Sequence, residues 1–372
     1  ALDAADEAII LYRASGDAAG EAACLNAMGV THARRGEHAE AESRYVAALE
    51  IRRRLGDPVE MAGSLANLGR VTFFQGRRDE GRRQLEEGLS LAEQHDHAGQ
   101  VALISNNLGV ISTEEGRLDE ARTRLEKAEA SYRETGSLRL QAQCLVNLGR
   151  LSLSTGNYRK VVEHASLAVD LYQRLGMHAD LAIAHQLIGD VQRECGRLDA
   201  ALEAHERALA RAQRAESIRQ QAFSLIGQAL DHVAARRPDV AESRLDEAAR
   251  LTENRDEPRL TRRIERARSA IEMATGRAAE AESRLTALLD APGAEDDPLA
   301  STDLHLSRAS ARITLARFED ALGDLEDAAR TIAGTGTIVR EWELERLRSH
   351  CLRALDRKTD ARTALSLSLI HI

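Results

Sequence analysis

Hydrophobic and small residues recur along this chain at helical spacing. Leu65, Leu68, Gly69 and Thr72 mark one side of a first helix, and Gly81, Leu85, Gly88 and Leu89 one side of a second. Between them lies Gly76-Arg77-Arg78-Asp79, where glycine can take the left-handed conformation that ends a helix and Asp79 is expected to cap the next. The same grammar returns as Gly116-Arg117-Leu118-Asp119 and Gly196-Arg197-Leu198-Asp199. The pattern predicts helix-turn-helix units.

The units repeat. Gly29, Gly69, Gly109, Gly149 and Gly189 are forty residues apart, and Gly36, Gly76, Gly116, Gly156 and Gly196 follow seven residues behind them. The first series fades to Ala229, Ser269, Ala309 and Ser349, but Leu85, Leu125, Leu245, Leu285, Leu325 and Leu365 hold the same grid, so the array is expected to reach the C-terminus. A side chain at a close helix crossing would hold the helices apart, which makes Gly149 and Gly189 packing residues. From residue 221 onward Gln228, Arg268 and Arg308 replace the apolar residue before the close-packing position, and Arg236 replaces the turn glycine. Register shifts or irregular helices are expected there.

This pattern resembles the tetratricopeptide repeat family in its forty-residue form, as in kinesin light chain-type repeats and the helical arms of large bacterial signalling proteins. The resemblance rests on Leu65, Leu68, Gly69, Gly81, Leu85 and Gly88 in one unit and on Leu145, Leu148, Gly149, Ala165 and Ala168 in another, and it is most specific over residues 21–214. It implies an all-α, right-handed superhelical solenoid of about nine helix-turn-helix units, each burying its apolar face against its neighbours. The units fall near 1–18, 19–58 and so on every forty residues to 299–338, with 339–365 last. Residues 1 to 13 align with the second helix at Ala41 to Arg53, so the chain is expected to start mid-repeat. Residues 366–372 drop the charged pattern and read either as translated adapter sequence at the end of a metagenomic fragment or as a helix end that docks on a following domain.

Composition agrees with stacked amphipathic helices: 43% of residues are hydrophobic but only 3% aromatic, where strand-rich folds use more aromatic and β-branched residues. Pro58, Pro258 and Pro298 fall between predicted helices. The net charge is -9 with both signs interspersed, so no basic stripe suits a nucleic acid. Cys24, Cys144, Cys195 and Cys351 are far apart, with no C-x-x-C pair to suggest zinc or a disulfide framework, which fits a reducing, cytoplasmic setting. No apolar run approaches the roughly eighteen residues of a membrane span, so a membrane is not an expected partner.

Catalytic motifs are not found. His205-Glu206 begins an H-E-x-x-H pattern, but the second ligand position holds Leu209. His95-Asp96-His97 reads as a solvated turn rather than a metal site, and Gly334-Thr335-Gly336 as a linker rather than a nucleotide loop. Cys24 and Cys144 share one repeat position and read as small buried hydrophobes. No cofactor or metal is expected.

Binding chemistry lies on the first helices, away from the packed stripe. Asn67, Asn107 and Asn147 recur at forty residues, and Asn67, Arg70 and Phe74 share one helical face. The resemblance implies that first helices line a concave surface. There the asparagines, with Asn106, would grip a peptide main chain through amides that donate and accept, while Arg70, Phe73, Phe74 and Arg150 select side chains. Alternatively, a recurrent asparagine satisfies backbone groups of the adjacent repeat. The expected function is a non-catalytic scaffold for a protein or peptide partner. A second possibility is the sensor or autoinhibitory arm of a larger bacterial signalling enzyme.

Overall fold

A computed structural model describes residues 2–253, 255, 257–292, 298–333 and 338–370. The Gly334-Thr335-Gly336 stretch and the last two residues of the hydrophobic tail lie outside them. The fold is all-α, a helical repeat, and no strand occurs among the described residues. First helices are α2 (Ala18–Arg35), α4 (Pro58–Phe74), α6 (Ala98–Glu114), α8 (Leu138–Ser154), α10 (His178–Glu194), α12 (Ile218–Ala234), α14 (Pro258–Ala274), α16 (Pro298–Thr314) and α18 (Ile338–Ala354). Second helices are α1 (Leu2–Ser15), α3 (His38–Leu55), α5 (Arg78–Gln94), α7 (Leu118–Glu134), α9 (Tyr158–Arg174), α11 (Leu198–Arg214), α13 (Pro238–Thr252), α15 (Ala278–Leu289), α17 (Phe318–Ile332) and α19 (Lys358–Ile370). The helices form two compact units, Ala1–Ser112 with Asp119–Cys144, and Thr113–Leu118 with Leu145–Ile372.

From α2 onward each helix starts twenty residues after the one before, so the register shift expected beyond residue 221 does not occur. What changes there is helix length: α13, α15 and α17 stop two to five residues short of the usual seventeen. The turns explain the fixed register. Every described twentieth residue from Gly16 to Asp356 has positive φ, inter-repeat turns included. Glycine occupies most of these positions, but Arg236 and Ala316 hold the same conformation at φ 58°. A β-carbon there costs about 1–2 kcal/mol. Replacing exposed Ala316 with glycine is therefore expected to raise stability by about 1 kcal/mol, part of the gain being lost to the freer unfolded chain. The midpoint of chemical denaturation reads this, and an unchanged or lower midpoint would show that the turn carries no strain.

Capping differs in detail from the sequence expectation. Asp17, Asp57 and Asn157 accept backbone N–H bonds at the starts of α2, α4 and α9. Asp79 does not cap α5: the residue at that position is Arg77, which makes no side-chain cap bond, and Asp79 sits within the first turn. Its charge acts there on the positive end of the helix dipole.

Packing follows one grid. Tyr45, Leu85, Leu125, Ala165, His205, Leu245, Leu285 and Leu325 are all buried, one from each second helix between α3 and α17. Gly29, Gly69, Gly109 and Gly189 lie opposite the first, second, third and fifth of these. A β-carbon at Gly29 would sit 2.5 Å from the Tyr45 ring, and one at Gly109 2.7 Å from Leu125. At Gly149, where the second helix offers only Ala165, the space is filled by Leu187 at 2.7 Å. The arginines that break the apolar pattern late in the chain are matched by acids: Arg308 bonds to buried Asp324 at 2.7 Å, and Arg268 pairs with Asp246 at 3.4 Å.

Candidate peptide-binding groove

In the first unit the expected site residues divide by burial. Asn67, Arg70 and Phe74 are half-buried on the face of α4 away from Leu65, Leu68 and Thr72, which are buried. Phe73 is corrected from a ligand-facing residue to a core residue. It is 1% exposed and packs with Leu85, Ile104 and Leu108. Neighbouring helix residues point about 100° apart, so Phe74 packs half-buried at the edge of the core that encloses Phe73. Asn106 and Asn107 are also buried, which corrects their placement on an open ladder. The Asn107 amide donates to the Ala66 carbonyl at 3.3 Å, one repeat away, so this asparagine satisfies its neighbour's backbone. Asn67 donates to the Asn26 side chain at 3.1 Å.

In the second unit, Asn147 is half-buried and Arg150 exposed on α8. Burial by surrounding protein is nonetheless the largest influence on the Arg150 guanidinium and lowers its pKa. Glu114, Asp190 and Arg219 lie within its electrostatic range. Arg263, also exposed, is lowered first by the same burial, then by Arg266 and Arg150, against the opposing pull of Asp190 and Glu114. Side chains from the end of α6 and from α8, α10, α12 and α14 therefore act electrostatically on one another. Phe223 on α12 adds an aromatic face, with Arg219 at 5.8 Å and Arg263 at 5.2 Å from its ring centroid.

Sequence inspection passed over Asp190, Arg219, Phe223 and Arg263. A signal was present: Arg150 and Asp190 occupy one repeat position, and Phe223 and Arg263 another.

His205 is a second departure. It takes the grid position of Leu85 and Leu125 yet is 1% exposed, with Nδ1 2.6 Å from Asp231 and Nε2 3.6 Å from Asp190. Arg193 joins the two acids at 2.6 Å and 2.9 Å. Burial alone would lower the imidazole pKa, but hydrogen bonds and charges from Asp190 and Asp231 outweigh it and raise the pKa to about 9. Gly189 and Gly227 flank the ring, each placing a β-carbon position 2.5 Å from it.

Other chemical candidates lie away from the groove. The Cys144 thiol donates to the Leu125 carbonyl, and burial pushes its pKa up to about 12, so it is no nucleophile near neutral pH. His97 Nδ1 accepts the Gln100 backbone N–H at 3.2 Å, and among the described residues the His95-Asp96-His97 turn forms no convergent ligand set. His305, Asp324 and Asp327 bring ligand atoms within 4.8 Å of one another, but Arg308 and Arg312 already bind Asp324. A cleft of about 860 Å³ between α5, α6 and α7 is lined by Leu89, Val101, Glu120 and Lys127 and contains none of the expected peptide-binding residues. No helix among the described residues is long and apolar enough to cross a membrane.

A tetratricopeptide repeat family model matches residues 21–94, 60–134 and 100–174. Comparison with curated proteins finds no match. Among solved structures, a Rap protein complexed with competence and sporulation factor has a TM-score of 0.71, covering 94% of this chain and 97% of its own at 14% identity. The Rap conjugation gene regulator of plasmid pLS20, in complex with a Phr peptide, has a TM-score of 0.59, covering 83% and 94% at 15% identity. Aspartyl phosphate phosphatase F from Bacillus subtilis has a TM-score of 0.54, covering 93% and 92% at 13% identity. At such identities the likeness speaks to fold. The chain is thus a helical repeat array whose residues 21–174 match the tetratricopeptide repeat family model.

Proposed function

We propose that this chain is a non-catalytic interaction module that binds a peptide or extended protein segment along the exposed faces of its first helices. The observation that carries this reading is the grouping of Arg150, Asp190, Arg219 and Arg263 on successive first helices of the second unit, with Arg219 and Arg263 against the Phe223 ring. Asn147 on α8 stands one turn before Arg150 and supplies a main-chain contact. In the first unit Asn67, Arg70 and Phe74 play the matching part. Two structural neighbours support the reading, since one is in complex with a Phr peptide and the other with competence and sporulation factor. Phosphatase F shows that the same architecture also carries an enzyme name. Here burial keeps the Cys144 and Cys351 thiols protonated near neutral pH, so neither is a nucleophile.

The test is capture of random heptapeptides by the immobilised chain, read by mass spectrometry. Asn147→Ala is expected to lower capture about two- to tenfold, one hydrogen-bonded contact being worth about 0.5–1.5 kcal/mol. Asn107→Ala is expected to lower the midpoint instead, because it leaves the Ala66 carbonyl without its partner. Undiminished capture by Asn147→Ala would remove that residue from the site, and no capture by the wild type would refute the groove.

A further inference from the structure

Four positions that are filled in one repeat stand open in the next. Leu49 of α3, Met61 and Leu65 of α4 and Leu91 of α5 pack in one core cluster. Forty residues on, the same positions hold Leu89, Val101, Ser105 and Ser131, and all four line the cleft of about 860 Å³ between α5, α6 and α7. Both serines depart from the repeat. The position of Ser105 is a buried leucine at Leu25, Leu65, Leu145 and Leu225, and that of Ser131 is aliphatic at Ile51, Leu91, Leu171 and Leu251. Neither hydroxyl makes a side-chain hydrogen bond among the described residues. Charge changes at the same place. Arg53 and Glu87 bridge α3 and α5 at 3.5 Å. Their counterparts Glu93 and Lys127 exchange the two signs, line the cleft from α5 and α7, and form no salt bridge among the described residues. Asp96, close to Glu93 in the chain and also lining the cleft, is likewise unpaired, whereas Glu120 and Arg124 hold each other at 2.8 Å.

We propose that this cleft binds a free aliphatic α-amino acid, its ammonium at Glu93 and Asp96, its carboxylate at Lys127 and its side chain in the space the two serines leave. Charge is the first argument. A cation alone would meet the like charge of Lys127, and an anion alone would meet two acids. A zwitterion answers both walls at once, standing between two groups whose counterparts one repeat earlier reach each other directly. Shape is the second. Leu89, Val101, Ala102 and Ala128 give the cleft an apolar lining that would gain by covering an aliphatic branch, as the missing leucines do elsewhere in the array. The volume falls within the roughly 300–1,000 Å³ of small-molecule sites. It leaves room for waters that join the ligand to the Ser105 and Ser131 hydroxyls, which both donate and accept. None of the residues assigned to the peptide takes part, so the site stands apart from the groove.

Calorimetric titration of the full chain with L-leucine, and with isoamylamine and isocaproate as the halves that each lack one charge, tests the assignment. Leucine is expected to bind, and each half-molecule to bind at least tenfold more weakly. The double variant Ser105→Leu/Ser131→Leu restores the residues of the other repeats, so it is expected to abolish binding while holding or raising the thermal midpoint. Glu93→Gln and Lys127→Gln change exposed residues that have no ion pair, and each is expected to weaken leucine at least tenfold at an unchanged midpoint. Those two variants decide the matter if the filled variant does not fold. Isoamylamine or isocaproate binding as tightly as leucine would overturn the zwitterion. Leucine binding that is unchanged in the filled variant or in both charge variants would put the ligand elsewhere and overturn the cleft, as would the absence of any heat at millimolar leucine.

Discussion

His205→Leu, although it restores the residue found at this grid position in most repeats, is expected to destabilise the α10–α12 region by about 3–5 kcal/mol. Leucine removes the partner 2.6 Å from Asp231, whose side chain is 0% exposed, and leaves Arg193 as the cation facing both Asp190 and Asp231. Titration of the wild type gives an independent reading. The imidazole pKa is raised from 6.5 to about 9, so its contribution to stability is complete below pH 6.5 and disappears as pH rises through about 9. That interval corresponds to about 3 kcal/mol. Asp190, held well below the ordinary carboxylate range by Arg193 and His205, acts oppositely: its contribution is present above about pH 3.8 and is lost as pH falls. Hydrogen exchange across residues 178–234 should show protection greatest between about pH 4 and 6.5 and declining toward 9, after correction for the intrinsic rate. Because a repeat array opens locally, this regional measure is preferable to a single global midpoint. Wild-type protection that stays level from pH 6 to 10, or a variant with the same slope as wild type, would show that the ring is not charged in the fold.

Gly69→Ala is expected to cost about 3 kcal/mol, at the upper end of the range for overpacking and despite a gain of about 1 kcal/mol in helix propensity. The added carbon would lie 2.6 Å from the Gly81 carbonyl oxygen, and Gly81 in turn sits 2.5 Å from the Gly69 oxygen by the same measure. Two backbones meet there, so neither can yield without moving a helix. Gly149 supplies the comparison. A β-carbon at Gly149 meets the Leu187 terminal methyl at 2.7 Å, and a leucine side chain can turn aside, so Gly149→Ala is expected to cost no more than about 1 kcal/mol. Denaturation of the two variants side by side decides the matter: equal losses would mean that the α4–α5 crossing adapts as easily as the α8 contact.

Much of the fold was legible because the repeat is regular. Two glycine series and one leucine series fixed the period, and the helix starts follow it to α19. The inter-repeat glycines Gly16, Gly56, Gly136 and Gly176 belong to the same arithmetic and complete a turn every twenty residues. Binding residues were harder to identify for a physical reason. The asparagine position lies at the edge between the packed stripe and the open face, so identical spacing leaves Asn67 half-buried and Asn107 within reach of the Ala66 carbonyl. Burial at such an edge depends on how closely the next repeat approaches, which periodicity does not encode. His205 was missed because a histidine among leucines takes its meaning from Asp190 and Asp231, fifteen and twenty-six residues away.

Within each unit the helices that pack together are neighbours or next neighbours along the chain. That locality has a consequence in time. A helix leaving the ribosome needs no partner still to be made, since its apolar face can dock on the hairpin synthesised just before it. Loop closure costs little at each step, because the segments to be joined are already adjacent. The array can therefore fold in the order of its synthesis, with one unfinished apolar face exposed at the growing end rather than a whole core awaiting completion.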